Sequence, residues 1–305
     1  HRAGVDFIKV GDTVPPDAYR ALVDRARWHR LPVAGHLPVG IGAADAALAG
    51  QRSIEHFGSA RFHGLLLASS SEEGPLTRRV QALFEAARQG DAEADARLFR
   101  ADLTGPLADS FNPQKAAALF RTSADRDTAH VPTLVALRSV WDAQAEGMTD
   151  RDRRAADRVW DRYREMVRLL REAGVAILAG TDQAPDGASL HRELELLVEA
   201  GLSPTEAIVA ATSRPAAFLG LIDEVGTVEA GKRADLVLLD GDPLADIANT
   251  RRIAAVVVGG SLLDRSDLRR LVAGQPVATP FRLGMGALAA GSISTATAPA
   301  PGTRK

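Results

Sequence analysis

The sequence predicts an α/β fold, a parallel sheet with helical crossovers, on three observations. Short apolar runs rich in Val and Ile recur along the chain, amphipathic stretches at helical spacing separate them, and Gly, Pro and Asn mark most borders. Five runs, Asp6–Val10, Pro32–Leu37, Ser53–Phe57, Val131–Leu137 and Val175–Thr181, are each expected to be a buried strand. This alternation suits an open doubly wound sheet or a closed barrel, and chemistry gathered at strand ends favours the barrel.

The helices between them follow from spacing and caps. Asp17–Arg30 carries Ala18, Tyr19, Leu22, Val23 and Ala26 on one face and is introduced by Pro15-Pro16. Gly42–Ala49 is a short Ala-rich helix stopped at Gly50, and Thr149–Ala173 a long charged one closed by Gly174. Ser203-Pro204-Thr205-Glu206 is a capping box that launches Glu206–Thr212. Residues 59–128 interrupt the rhythm with helices expected at Thr77–Gln89, Asp91–Leu103 and Pro113–Thr122, separated by turn signals that include Gly105-Pro106. A helical insertion of this kind is a candidate cap over the strand-end loops, where it would shape access to a pocket.

Beyond Leu221 the texture changes. Gly226–Gly231 suggests a turn-rich hairpin, and Asp235–Asp240 and Ile253–Val258 short strands. The expected organisation is residues 1–220 as the main α/β portion with the insertion at 59–128, residues 221–265 as a small β-layer, and residues 266–305 as a C-terminal helix and tail. The last stretch, Gly284–Lys305, has almost no large apolar side chain and is expected to be disordered.

Composition narrows the function classes. The chain has 305 residues, and 37 Lys+Arg against 39 Asp+Glu give a net charge of −2, so there is no basic field to recruit nucleic acid or anionic lipid. No apolar run approaches the roughly 20 residues of a membrane-spanning helix. There is no cysteine, which removes disulfides, thiolate nucleophiles and Cys-based metal sites. Any metal must therefore sit on His, carboxylate or a less usual ligand. The chain opens on His1 and is strand-like by residue 5, as expected of a piece whose beginning lies upstream, so compartment and export signal are left unassigned.

Four polar residues stand at the carboxyl ends of the expected strands: Lys9, His36, His56 and Asp182. Taken singly each has a structural explanation. Lys9 would be a strand-end lysine with its ammonium in water, His36 and His56 hydrogen-bonded structural histidines, and Asp182 a turn cap. In a parallel barrel those ends converge on one mouth, and two histidines beside a carboxylate then suit a metal or general acid–base chemistry. His130 is placed at the wrong end of its strand for that mouth and is expected to be structural, while His29 and His63 offer no case.

Gly4-Val5-Asp6-Phe7-Ile8-Lys9-Val10, Gly35-His36, Ile54-Glu55-His56 and Gly180-Thr181-Asp182 resemble, in order and placement, the last five barrel strands of the metal-dependent amidohydrolase superfamily. Ala207–Thr212, Ala216–Leu219 and the run from Gly226 to Val237 are similar to its last helices and the start of its C-terminal β-sandwich. The resemblance covers roughly residues 1–260 apart from the insertion and is nearest the imidazolonepropionase-like and prolidase-like members. It implies a partial (β/α)8 TIM barrel with part of a small sandwich, and hydrolysis of an amide, in a dipeptide or a cyclic amide for example.

The resemblance further implies two divalent metal ions, zinc first, with manganese, cobalt or iron as alternatives. Lys9 would be carboxylated on its ε-nitrogen and bridge them, His36 and His56 would bind the second, and Asp182 would bind the first and shuttle the proton from metal-activated hydroxide to the leaving nitrogen. His191 matches a histidine that helps hold substrate in such relatives. The partners implied are a small-molecule or short-peptide substrate, with self-association into a homo-oligomer compatible with it. One feature departs: the first strand of the family supplies a His-x-His pair, and none of the 7 histidines here forms one. Three further strands, about 90 residues, are expected upstream. A deaminase or lactonase on the same scaffold, or a non-catalytic remnant lacking the His-x-His ligands, are the alternatives.

Overall fold

A computed structural model describes residues 5–182 and 187–275. The expected tail at Gly284–Lys305 and the first four residues lie outside the described residues.

The chain begins β1 (Ile8–Val10), α1 (Pro16–Trp28), β2 (Val33–Gly35), α2 (Ala43–Ala49) and β3 (Ser53–Glu55). Pro16 starts α1, where its missing N–H costs nothing, and Tyr19, Val23 and Ala26 form the buried stripe. Gly50 ends α2 in the left-handed conformation, φ 90°. A 3₁₀ turn (His56–Gly58) leads into α3 (Gly64–Ala68), α4 (Glu73–Arg88), α5 (Ala92–Arg97), α6 (Ala101–Asp109) and α7 (Pro113–Asp125). Then come β4 (Ala129–Val131), α8 (Leu134–Gln144), α9 (Asp150–Glu172), α10 (Ala188–Glu199), α11 (Pro204–Ala211) and α12 (Ser213–Phe218). The C-terminal part is β5 (Leu236–Leu239), β6 (Ile253–Val258), β7 (Ser261–Leu263) and α13 (Arg265–Val272).

The strand segments form one parallel row. Lys9 of β1 is opposite Ala34 of β2, Val33 bridges Gln51 just before β3, Ile54 of β3 is opposite His130 of β4, and His130 bridges Ile177. Of the expected fifth strand, 175–181, only this bridge is regular. It is fastened by His130 N–H to Ala176 O at 2.8 Å and Leu178 N–H to His130 O at 2.9 Å. Helices pack on the row, with α7 against both α2 and α9, and the buried core runs from Val10, Val33 and Ile54 to Tyr163, Leu170 and Leu197. The row is an α/β arrangement with crossover helices, and β5, β6 and β7 make a separate antiparallel sheet.

Several expected boundaries move. The run Val131–Leu137 is not a strand: pairing ends at Val131, Pro132 has no N–H to give, Thr133 turns left-handed at φ 52°, and Leu134–Leu137 open α8 with all four side chains buried. A short continuous apolar run fits a buried strand or a buried helix equally well, so periodicity could not separate them. His130 therefore sits inside the strand rather than before it. The helix expected over Asp91–Leu103 is two, because Arg100 is extended (ψ 153°) and Asp152 of α9 accepts the Ala101 N–H at 2.7 Å to start α6 anew. The turn expected at Gly105-Pro106 lies within α6. Pro106 leaves the Asp102 carbonyl without its helical donor, and Arg79 Nη1 donates to that oxygen at 2.7 Å. Residues 226–231 run through a bend and a turn and form no strand pair among the described residues. The boxes at Thr149/Asp152 and Ser203/Glu206 cap α9 and α11. No helix among the described residues is long and apolar enough to cross a membrane.

Candidate metal centre

Strand ends build the site. Gly35, at φ 121°, lets β2 close on β1: a Cβ there would stand 2.3 Å from Val10 O. His36 follows at once, its N–H donating to Val10 O at 2.9 Å. Buried Gln51 holds this corner, its amide donating to the carbonyls of Gly35 (3.2 Å), His36 (3.1 Å) and Ser53 (2.9 Å) while its Oε1 accepts from Tyr19 Oη at 2.8 Å. At the end of β3, Glu55 is still extended, whereas His56 turns left-handed at φ 50°.

The four residues singled out by position do come together. Lys9 Nζ lies 2.8 Å from Glu55 Oε2, His56 Nε2 lies 3.8 Å from Glu55 Oε2 and 3.4 Å from Asp182 Oδ2, and the rings of His36 and His56 meet edge to face with centroids 5.0 Å apart. His36, Glu55 and His56 each offer a ligand atom, all within 4.8 Å of one another. Glu55 stands in the Ile54-Glu55-His56 pattern, and its signal in the sequence is its place beside His56 at a strand end; strand alternation alone would aim it away from its neighbour.

The proton inventory is legible at both imidazoles. Thr133 Oγ1 donates to Pro132 O at 2.6 Å, so towards His56 Nδ1, 2.8 Å away, it accepts. That fixes the proton on Nδ1 and leaves the Nε2 lone pair facing Glu55 and Asp182. His56 Nε2 is buried and has no hydrogen-bond partner among the described residues. Burial holds the His56 pKa below the ordinary imidazole value, outweighing the Asp182 carboxylate that pulls it up, with His36 pushing down as well. A neutral, buried imidazole with an unsatisfied lone pair, grouped with a second imidazole and carboxylates, is the donor set that a divalent cation such as zinc takes. His36 Nδ1 faces Asp12 Oδ2 at 2.7 Å, the carboxylate–histidine pairing that frees the other ring nitrogen for a metal. Asp12 has no strand-end position, so sequence reasoning passed over it.

The remaining histidines are elsewhere. His191, at the start of α10, has Nδ1 3.0 Å from Thr250 Oγ1, and burial lowers its pKa. His130 is buried against Phe120 with Nε2 3.1 Å from Ser123 Oγ, and burial pushes its pKa down to about 3. His63 is buried with Nε2 donating to Leu98 O at 2.9 Å and a pKa down to about 4. Two residues past His191, Glu193 is fully buried, accepts the Val135 N–H at 2.8 Å, and is pushed by burial up to about 8. It thus caps the start of α8, the segment that carries Thr133.

The amidohydrolase family pattern matches residues 11–263. The chain belongs to the amidohydrolase family. It is similar to an imidazolonepropionase from Rubrobacter xylanophilus, 42% identical over 104 residues that cover 32% of this chain and 25% of that protein. Among solved structures, a bottromycin amidohydrolase superposes with a TM-score of 0.59 at 25% identity, over 88% of this chain and 57% of that one. A Xaa-Pro dipeptidase solved with methionine in its active site shares the fold, with a TM-score of 0.55 at 23% identity over 86% of this chain and 55% of that one. The chain thus spans little more than half the length of these two solved structures, and the aligned segment a quarter of the imidazolonepropionase.

Proposed function

We propose that the chain carries the larger part of a metal-dependent hydrolase site that cleaves carbon–nitrogen bonds in small molecules or short peptides. Family membership supports the reaction class, and the observation that carries the metal is the buried Nε2 of His56, without a hydrogen-bond partner among the described residues, beside His36, Glu55 and Asp182. His36 and His56 would hold a divalent cation as neutral ligands, with Lys9 in carboxylated form and Asp182 completing the set. Glu55 belongs to the same donor group. With the lysine unmodified, its ammonium meets Glu55 and stands in for a cation there. Carboxylation would replace that ammonium by an anionic carbamate beside the Glu55 carboxylate, an arrangement stable only around positive charge.

When bound, a divalent ion supplies Lewis-acid activation of water and of the scissile carbonyl. Asp182 does the proton work: its carboxylate is 46% exposed, reachable by water and substrate, and its Oδ2 is the acceptor facing the centre. Thr133 and Asp12 keep the two imidazoles in the ligating tautomer. A cavity of about 540 Å³ adjoins the loops that carry both histidines, bounded by Leu37, Gly58 and Ala60 and by Thr77 and Arg78 of α4. Its size suits a small organic molecule, and Gly and Ala on its walls leave room for an apolar group. The helical segment following His56 thus contributes to substrate selection. His191, tied to Thr250, is the candidate for holding substrate.

A partial (β/α)8 barrel followed by part of a small sandwich accounts for the parallel row and for the antiparallel sheet β5–β7. A second reading is a metal-binding module of the same fold without hydrolysis. The test is zinc binding by the full-length protein, measured by elemental analysis after dialysis and by calorimetry, with His36→Ala and His56→Ala as controls. Stoichiometric zinc lost in both variants is expected; equal zinc in wild type and both variants overturns the centre. Hydrolysis of a panel of dipeptides, N-acyl amino acids and cyclic amides then separates the two readings.

A further inference from the structure

The backbone after the second candidate histidine is unusual. His56, Phe57, Gly58, Ser59, Ala60, Arg61 and Phe62 all have positive φ, from 37° at Ala60 to 82° at Phe62. Left-handed conformation is costly for every residue of this run except Gly58, so surrounding contacts must hold it. Distal holds are visible: Tyr163 Oη donates to Phe62 O at 3.3 Å, Arg61 pairs with Asp95 at 2.9 Å, and Phe57 stacks on Tyr163. Nearest the centre, the hold is Asp12.

Asp12 lies on the loop after β1 and is buried. Its Oδ1 accepts the Ala60 N–H at 2.5 Å, its Oδ2 accepts the Ser59 hydroxyl at 2.8 Å and faces His36 Nδ1 at 2.7 Å, and its own carbonyl accepts the Val39 N–H at 3.0 Å. Three strand-end loops therefore meet on one residue. Only a carboxylate serves all three donors to its side chain, since an amide would turn an N–H toward one of them.

We propose that Asp12 is the positioning residue of the centre, a single carboxylate that sets the ring state of His36 and pins the left-handed 56–62 segment that aims His56. Although Asp12 does not touch His56, it couples the two imidazoles, so both are disturbed when it is changed. The consequence for metal affinity rests on the proposed metal reading; the coupling itself does not.

The test uses the full-length protein without metal, with D12N, S59A and H36A. Imidazole ¹H–¹⁵N spectra report the His36 Nδ1–H, and hydrogen exchange reports the amides of residues 59–61. In D12N the Nδ1–H signal of His36 is expected to vanish and exchange at 59–61 to speed up at least tenfold. H36A should leave that exchange unchanged, and S59A should speed it while preserving the His36 signal. Loss of one effect without the other in D12N, or of neither, overturns the coupling. Should D12N fail to fold, S59A decides, and unaltered exchange there overturns it. Cobalt titration read by its visible absorption then follows, with a 10–100-fold weaker affinity expected in D12N. A wild-type protein that binds no cobalt refutes the metal reading and leaves the metal-free results to judge Asp12.

Discussion

Glu193→Gln gives the sharpest test of how the region under His56 is held. The carboxyl is fully buried on α10, its Oε2 accepts the Val135 N–H, and its Oε1 has no hydrogen-bond partner among the described residues. Burial raises its pKa from 4.5 to about 8, although the N–H groups of Val135, Leu134 and Thr133 pull the other way. The folded chain thus keeps the proton where the unfolded chain has lost it. The associated stability is complete below pH 4.5 and is lost progressively as pH rises through about 8. That gap corresponds to roughly 5 kcal/mol, or on the order of 10 °C in melting temperature for a chain of this size. Glutamine stays neutral throughout and keeps a carbonyl for the Val135 N–H, so it removes the dependence while retaining the cap. Melting temperatures followed by circular dichroism from pH 5 to pH 9 should show Glu193→Gln at or below wild type at pH 5. By pH 8.5 it should have gained about 10 °C on wild type. Parallel curves for the two proteins across that range would refute the buried, protonated Glu193 and with it this account of how Thr133 is fixed beneath His56.

Three further outcomes follow from the packing. Burial brings His130 down to about 3, so its contribution is whole above the unfolded value of 6.5 and falls as pH drops toward 3; His130→Gln should flatten the loss of melting temperature between pH 6.5 and 4.5, and an unchanged acid slope would contradict it. Gly35→Ala puts a Cβ 2.3 Å from Val10 O at φ 121° and should cost more than about 3 kcal/mol or prevent folding, whereas melting unchanged within a degree or two would show that β1 and β2 are not paired in this register. Arg79→Ala removes the donor that replaces the missing Pro106 N–H and should cost about 1 kcal/mol by urea denaturation, a figure that no change at all would disprove.

The sequence alone determined the alternation of strand and helix over the first three strands, the cap at Ser203, and the strand-end placing of Lys9, His36, His56 and Asp182, because each is written in local pattern or in strand-end position. Where local pattern is ambiguous it failed. Residues 131–137 are apolar throughout, and only the lost Pro132 donor and the capped start of α8 decide that the strand stops at Val131. Pro106 has the signature of a turn, yet it is helical because a distant arginine satisfies the orphaned carbonyl. At the centre, tertiary structure alone supplied Asp12, Thr133 and Glu193, and the part that Glu55 plays beside Lys9 and His56. Their roles depend on which buried donors and acceptors face one another across 24 residues for Asp12 and His36 and 77 for His56 and Thr133. Periodicity places a side chain on a face; only the packed chain determines which proton it must accept, and therefore which ring nitrogen is left free.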